Sequence, residues 1–381
     1  MKPRDISEID RNFKTASVGE LDVEFRDALQ PPFAAEGFAW RQPGAPLYRL
    51  PEHFTTAEIN QGALDLAHHT SGGTIRFRTD SPCLALRAQL AYSFDMNHMP
   101  RTGSAGFDLY RRESWGFVFQ AAAQPNRDQQ LLELPLLRDG SGKMTEYLLN
   151  LPLYGGADSV EIGVAPGSAV LPPAPHWIAK PILFYGSSIT QGGCASRPGN
   201  SYANLLCRAL DAEEINLGFS GSGKGEVALA EAIGELDLAA VVLDYDHNAP
   251  DEAHLEATHE PFFRAIRSRQ PELPVLLVSR CDFHGTAADI RRREIIRATY
   301  ERAAAAGDRH VRFLDGELLF ERVPRVVLEL LVAEAQAAVV LIDFQYDHVD
   351  VGSDLRELGR MLDLLGPAQV RNVDQTVDAL L

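Results

Sequence analysis

Cysteine, basic residues and long apolar runs are all scarce in this chain. Its four cysteines, Cys83, Cys194, Cys207 and Cys281, stand far apart in 381 residues. They form no Cys-x-x-Cys pair and no secreted disulfide framework, which fits a reducing compartment. Lys and Arg number 36 against 53 Asp and Glu, a formal charge of −17. Nucleic acid and anionic membranes would repel such a chain, so neither is an expected partner. No stretch reaches the roughly 18 apolar residues that span a bilayer. The opening MKPRDISEID lacks the apolar centre of a signal peptide. His247, His254 and His259 make no His-x-His or His-x-x-x-His pair that would suggest a metal. These absences lead us to expect a cytoplasmic protein without metal or cofactor. They leave its oligomeric state open.

What is present is ample core material, 45% hydrophobic residues, in a chain long enough for two domains. Residues 1–30 are polar and mixed and read as an N-terminal arm. From 31 to 172 the pattern is β. Thr74 to Thr79, TIRFRT, alternates as a half-buried strand should. Six further candidates follow, at Cys83–Tyr92, Gly106–Tyr110, Gly116–Phe119, Leu131–Leu134, Glu146–Tyr154 and Ser159–Val164. Glycine-rich turns such as Ser71-Gly72-Gly73 punctuate them, and many short strands without long helices predict a β-sandwich. Gly167 to Lys180, with three prolines, reads as a linker.

From 178 to 381 strands alternate with helices. The strand candidates are Ile182–Gly186, Glu214–Phe219, Ala240–Tyr245, Pro274–Ser279 and Val311–Gly316, and the clearest helices are Ala253–Arg269 and Ala287–Ala306. This predicts a parallel sheet covered by helices, with its chemistry at the carboxyl edge. Three strand ends there carry polar or glycine-rich tails: GSSIT, GFSGSGKG and DYDHNAP.

The tails admit two readings. Gly218 to Lys224 fits the Gly-x-x-x-x-Gly-Lys of a phosphate loop, and VVLDYD resembles an acidic magnesium strand. The next residue, however, is Gly225 and not the Ser or Thr that would ligate the metal. The other reading is ester chemistry. Ser188, just past a buried strand, is the candidate nucleophile, although a serine in such a turn often only caps the next helix. Gly221, through its backbone N–H, and Asn248, through its side-chain amide, are candidate oxyanion donors. One such donor is typically worth about 100- to 1,000-fold in rate. Taken singly, both also read as ordinary turn residues. Their order after Ser188 on successive strand ends is what favours the chemistry.

GSSITQGG (Gly186 to Gly193), NLGFSGSGKGE (Asn216 to Glu226) and DYDHNAP (Asp244 to Pro250) resemble the first three motif blocks of the SGNH, or GDSL-type, esterase superfamily. Gly106-Phe-Asp-Leu-Tyr110 resembles the signature of a subgroup with an N-terminal β-domain. The resemblance spans roughly Pro31 to Phe320. It implies an α/β fold, a flavodoxin-like three-layer hydrolase domain behind a β-sandwich. It also implies Ser188 as nucleophile, with the N–H groups of Ser188 and Gly221 and the amide of Asn248 as the oxyanion hole.

The superfamily places an Asp-x-x-His motif shortly after the last strand, and here that place holds no histidine. The sole histidine after His310 is His348, in DFQYDHVDV, where Gln345 occupies the position the spacing gives to Asp. Two readings stay open. In one, His348 is a displaced base oriented by Asp343 or Asp347. In the other the site is impaired, because a serine hydroxyl is a weak nucleophile without a base. Arg197 and Asn200, in the loop after the nucleophile, read equally as substrate contacts or as turn residues. Asp108 and Cys281 read as structural.

The implied substrate is a small acyl ester, acetyl being the leading candidate and a sugar a candidate alcohol. The sugar rests on analogy between accessory sandwiches. The alternatives are acyl transfer to an acceptor other than water, and an impaired protein that binds esters or glycans.

Overall fold

The structure is a computed structural model that describes residues 21–92, 95–281 and 283–319, with the backbone of 325–332 and 336–343. The first half is built from two antiparallel sheets. One has the order β1 (Glu24–Asp27), β9 (Ala157–Val164), β4 (Leu84–Leu90), β7 (Leu131–Leu137). The other runs β10 (Val170–Leu171), β3 (Thr74–Thr79), β8 (Thr145–Asn150), β5 (Phe107–Glu113), β6 (Gly116–Ala123), with β2 (Ala34–Glu36) also paired to β3. Their inner faces share a core that includes Ile75, Phe77, Leu84, Leu86, Leu109, Leu149 and Ile162. This is the expected sandwich. The strand candidates were displaced only at their ends, where alternation gives way to turns.

The second half is a five-stranded parallel sheet in the order β12 (Ala212–Gly218), β11 (Ile178–Gly186), β13 (Ala240–Asp244), β14 (Val275–Val278), β15 (Val311–Leu314). Renumbered within this domain, that order is 2-1-3-4-5, the flavodoxin-like arrangement. Ile182 to Gly186 and all of β13 are buried, because helices cover both faces and a parallel strand so placed must be apolar throughout. A short helix α1 (Gln61–Leu66) and a helical turn α2 (Arg101–Ser104) belong to the first half; α3 (Ser188–Gln191) and α4 (Tyr202–Leu210) follow β11. Helices α5 (Val227–Ile233), α6 (Glu252–Arg269) and α7 (Ala287–Ala305) share one core with Leu183, Leu217 and Leu243. On the other face α4 packs Ala203 and Cys207 against Phe184 and Val242. Helix α6 buries Leu255, His259, Phe262, Phe263 and Ile266 along one stripe, the spacing of an amphipathic helix. The backbones of β16 (Arg325–Val332) and β17 (Gln336–Asp343) pair antiparallel. No described helix is long and apolar enough to cross a membrane.

The division between the halves is not linear in sequence. Leu50, Phe54, Ile59, Ala63 and Ala67 lie within 31–172, yet they pack into the α/β core beside Leu217 and Phe219. Arg49 makes this possible. Its side chain is buried, and it donates to the carbonyls of His69 (2.8 Å), Leu66 (2.7 Å), Asn216 (2.9 Å) and Gly218 (2.9 Å). Its guanidinium also lies 4.8 Å from the Phe219 ring centroid. Burial lowers its pKa to about 9, which leaves it charged at neutral pH.

Two further ties join the halves. Asp108 of β5 is fully buried and accepts from Gly199 N–H (3.0 Å) and Asn150 Nδ2 (2.8 Å). In the linker, His176 sits 3.1 Å from both Glu36 and Asp211. Burial opposes charge on His176, but hydrogen bonds to the two carboxylates outweigh it and raise its pKa to about 9.

Arg49→Ala would take a donor from the buried carbonyls of His69, Asn216 and Gly218. Its expected cost is about 3–5 kcal/mol in urea unfolding; a cost below about 1 kcal/mol would mean the clamp is dispensable. The stabilisation from His176 is complete below its ordinary pKa of 6.5 and is lost as pH rises through about 9. The Tm gap between wild type and His176→Gln should therefore be widest near pH 6 and close by about pH 10.

Candidate active site

Strand β11 lies between β12 and β13, so three loops leave the same edge side by side. Gly186 is in register with Gly218 on one side and Asp244 on the other. A Cβ at Gly186 would collide with Thr190 Oγ1 and the Asp244 carbonyl, which is why the strand must end in glycine here. Helix α3 starts immediately after, capped by Ser187, whose Oγ accepts from Ile189 N–H at 3.2 Å. The capping role that a serine in this turn was expected to take therefore falls to Ser187. Ser188 is the first residue of the helix and is half-buried.

After β12 the chain turns tightly, with Ser222 N–H donating to Phe219 O at 2.8 Å. Gly221 sits at the tip with φ of +69°, a conformation that disfavours other residues. After β13, Asp246–Asn248 forms a single helical turn, held by Arg292 on Asp246 at 3.0 Å. Asn248 is oriented through its oxygens. Oδ1 accepts from Gly223 N–H at 3.2 Å, and its carbonyl accepts from Lys224 Nζ at 2.8 Å. The first bond directs the acceptor end of the amide at Gly223 and leaves Nδ2 as a donor. The second engages the lysine on a carbonyl, which tells against the phosphate-loop reading. Among the described residues no acceptor takes the N–H of Ser188, the N–H of Gly221 or Nδ2 of Asn248, nor does any hydrogen-bond Ser188 Oγ.

Below the edge, Asp244 accepts from Tyr202 Oη (3.0 Å) and Thr190 Oγ1 (3.2 Å). Burial, reinforced by nearby Asp246, raises its pKa to about 7.

Sequence alone did not identify which sandwich residues reach this edge. Tyr154 Oη donates to the Ser188 carbonyl at 3.4 Å, and Ser71 Oγ donates to the Gln191 carbonyl at 2.6 Å. Tyr154 ends a segment that reads only as strand, and nothing local marks either residue.

The remaining candidates separate. His348 and Asp347 lie outside the described residues, and only the backbone of Asp343 is described, at the end of β17. His247 Nε2 is 3.9 Å from Cys281 Sγ. His254 Nε2 donates to Lys224 O at 2.7 Å. His259 is buried, stacked on Tyr245, and burial lowers its pKa to about 3. Arg197 Nε is 3.3 Å from Asp108, and Asn200 donates to Ser196 Oγ at 2.9 Å. The Asn200 bond is local and fits the turn reading of that loop, whereas Arg197 pairs across to the sandwich half, where Asp108 is the structural residue expected. A cleft of about 460 Å³ between α6 and α7, lined by Arg264, Arg267 and Arg302, opens beside the amino end of β15 at the opposite edge. Among the described residues no cluster of His, Cys, Asp and Glu could hold a metal ion.

Two family models match. Residues 179–319 match the GDSL-like lipase/acylhydrolase family, and residues 23–170 match the N-terminus of SGNH-hydrolase-type esterases, named for its Gly-x-Asp-Leu-Tyr signature. The chain belongs to the SGNH/GDSL-type esterase superfamily. By family, then, it is a carboxylic ester hydrolase, and a serine nucleophile with an oxyanion hole is typical of such proteins. No curated protein matches the sequence.

Among solved structures this SGNH-type chain is similar to a protein assigned as a GDSL-like lipase from Bacteroides ovatus. The two are 24% identical over 77% of this chain and 87% of that one, with a TM-score of 0.68. It is also similar to the salicylyl-acyltransferase SsfX3 of a tetracycline biosynthetic pathway (21% identity, 78% and 86% covered, TM-score 0.63). A third is an acetyl xylan esterase from Butyrivibrio proteoclasticus (12% identity, 77% and 90% covered, TM-score 0.52). These likenesses bear out the two-part fold.

Because Asp244 is raised from 3.8 to about 7, the stability tied to its proton is complete below about pH 3.8 and lost as pH rises through about 7. Asp244→Asn removes that dependence. Its unfolding free energy relative to wild type should shift in the variant's favour between pH 5 and pH 8; a constant difference would mean Asp244 is ionised throughout.

Proposed function

We propose that this protein is a serine esterase that hydrolyses a small acyl ester, an acetyl ester first, by way of an acyl-enzyme on Ser188. The observation that carries this is the set of three donors without acceptors among the described residues: Ser188 N–H, Gly221 N–H and Asn248 Nδ2, on neighbouring strand ends. Fixed donors with no partner suit charge that appears only in a transition state. Ser188 Oγ attacks the ester carbonyl, and its proton passes to a base. The oxyanion is held by the three donors. The tetrahedral adduct collapses, the alcohol leaves with that proton, and water then releases the acid by the same route.

We take His348 as the base, with Asp343 orienting it. General-base help is worth about 100- to 10,000-fold. A site without it would keep only the share supplied by donors and binding, and the chain would then act as an ester- or glycan-binding protein. The alcohol we propose is a sugar hydroxyl; the acetyl xylan esterase among the structural neighbours supports that choice. Acyl transfer to another alcohol is the second reading, favoured by the acyltransferase neighbour and by the sandwich's reach to Ser188 through Tyr154. A cytoplasmic location and a small-molecule substrate complete the proposal.

Turnover of p-nitrophenyl acetate tests it. Ser188→Ala should fall to the background rate, His348→Ala should lose at least about 100-fold, and Asn248→Ala should lose about 100- to 1,000-fold in kcat. A wild type no faster than Ser188→Ala would overturn the esterase reading in favour of binding. Faster p-nitrophenol release with an added alcohol, accompanied by the new ester, would favour transfer.

A further inference from the structure

Gln191 ends the nucleophile helix and is fully buried. Every polar group it has is used, and each bond goes to a different part of the site. Its N–H donates to Ser187 O at 3.0 Å within the helix turn. Its carbonyl accepts from Ser71 Oγ of the sandwich half at 2.6 Å. Its side-chain Oε1 accepts from Ser220 N–H at 2.9 Å, one residue before Gly221. Its Nε2 lies 3.1 Å from His69 Nδ1 and donates to Leu153 O at 3.2 Å. His69 is held neutral by burial and by nearby Arg49, which lower its pKa to about 4. Ser220 N–H can only donate and Leu153 O can only accept, which fixes the amide orientation of Gln191; Nε2 then donates to Nδ1 of the neutral imidazole.

The turn at Gly221 is closed by the N–H groups of Ser222 and Gly223 on Phe219 O, and Asn60 Nδ2 holds the Ser222 carbonyl at 2.8 Å. Gly221 is exposed, and a Cβ there would meet nothing within 4 Å. The Ser220 bond to Gln191 sets the near side of the turn, and the Gly223 bond to Asn248 sets the far side. Both settings are relative to the other two proposed donors. Burial and polar saturation make Gln191 costly to move, because an amide left unpaired in the interior is penalised.

We infer that Gln191 is a positioning residue for ester cleavage: it holds the Gly221 N–H at a fixed place relative to Ser188 and makes that placement depend on the docked sandwich. The inference rests on the esterase reading above. The bridge has three parts, the nucleophile helix, the turn carrying one oxyanion donor, and His69 with Leu153 from the other domain. The sandwich thereby enters catalysis without supplying a group that touches substrate.

The test uses the full-length protein and Gln191→Met, which keeps the volume and removes the amide. Two quantities are measured: kcat and KM for p-nitrophenyl acetate, and amide hydrogen exchange in a peptide covering Phe219 to Gly223. We expect kcat to fall about 100-fold, the size of effect that misplacing a group by about 1 Å has. KM should stay within about threefold, and exchange should accelerate in that peptide but not in β11 or β13. A merely structural role would lower Tm and leave kcat per folded molecule unchanged. A folded Gln191→Met with kcat within about threefold of wild type, or with unaltered exchange at 219–223, overturns the inference. If Gln191→Met does not fold, His69→Phe replaces it: Oε1 keeps Ser220 while Nε2 loses an acceptor, and a kcat loss of about 10-fold with the same local exchange is expected. A wild type no faster than Ser188→Ala overturns the esterase reading and the catalytic role together. The exchange result then shows separately whether Gln191 holds the turn.

Discussion

The structure depends on a buried positive charge that, among the described residues, has no carboxylate within hydrogen-bond reach. Arg49 meets its need for acceptors with backbone carbonyls, two from its own segment and two from β12. Such a group is expensive to bury unless every donor finds a partner. That requirement fixes the segment Leu50 to Ala67 onto the α/β core and fixes the end of β12 beneath it. The tail of β12 carries Gly221. The same interaction that merges the two halves therefore sets the height of one proposed oxyanion donor.

Along the edge above that clamp the supporting polar residues are engaged. Asp246, Asp108, Gln191 and Lys224 all have their partners. Among the described residues Ser188, Gly221 and Asn248 each present a donor without an acceptor there, while four buried side-chain atoms elsewhere, on Arg76, Glu214, Glu226 and His259, also lack a partner. Ser188 and Asn248 are half-buried and Gly221 is exposed, so a ligand can reach all three. What marks the candidate site is the convergence of three open donors on neighbouring strand ends, not the lack of partners alone.

Much of this was legible in the residues. The switch from alternating strands to continuous apolar runs marked the change from a sandwich to a covered parallel sheet. Three polar tails at three strand ends marked the edge where Ser188, Gly221 and Asn248 stand. Other features were not legible, for identifiable reasons. Arg49 looks like one basic residue among many, since nothing in its neighbours announces four carbonyls drawn from 17 to 169 positions away. Gln191 looks like a helix-turn residue, because its meaning lies in contacts across the domain boundary. Ser187 and Ser188 are adjacent and chemically identical. Only the cap geometry separates the one that closes the helix from the one left available. Asp343 and His348 lie beyond the place where the family's Asp-x-x-His motif is expected, with Gln345 at the position its spacing gives to Asp, so the motif did not single them out.

The Gly-Phe-Asp-Leu-Tyr stretch has a meaning for how such proteins descend. Asp108 receives the Gly199 N–H, and Tyr110 fills the space that any side chain at Gly199 would need. Arg208 of α4 lies 4.2 Å over the same tyrosine ring. Each half therefore carries part of a shape the other must match. A sandwich of this type cannot be traded by recombination for an unrelated one while keeping the hydrolase docked, because the lock spans the crossover point. The two halves are heritable as one unit, although each has a core of its own.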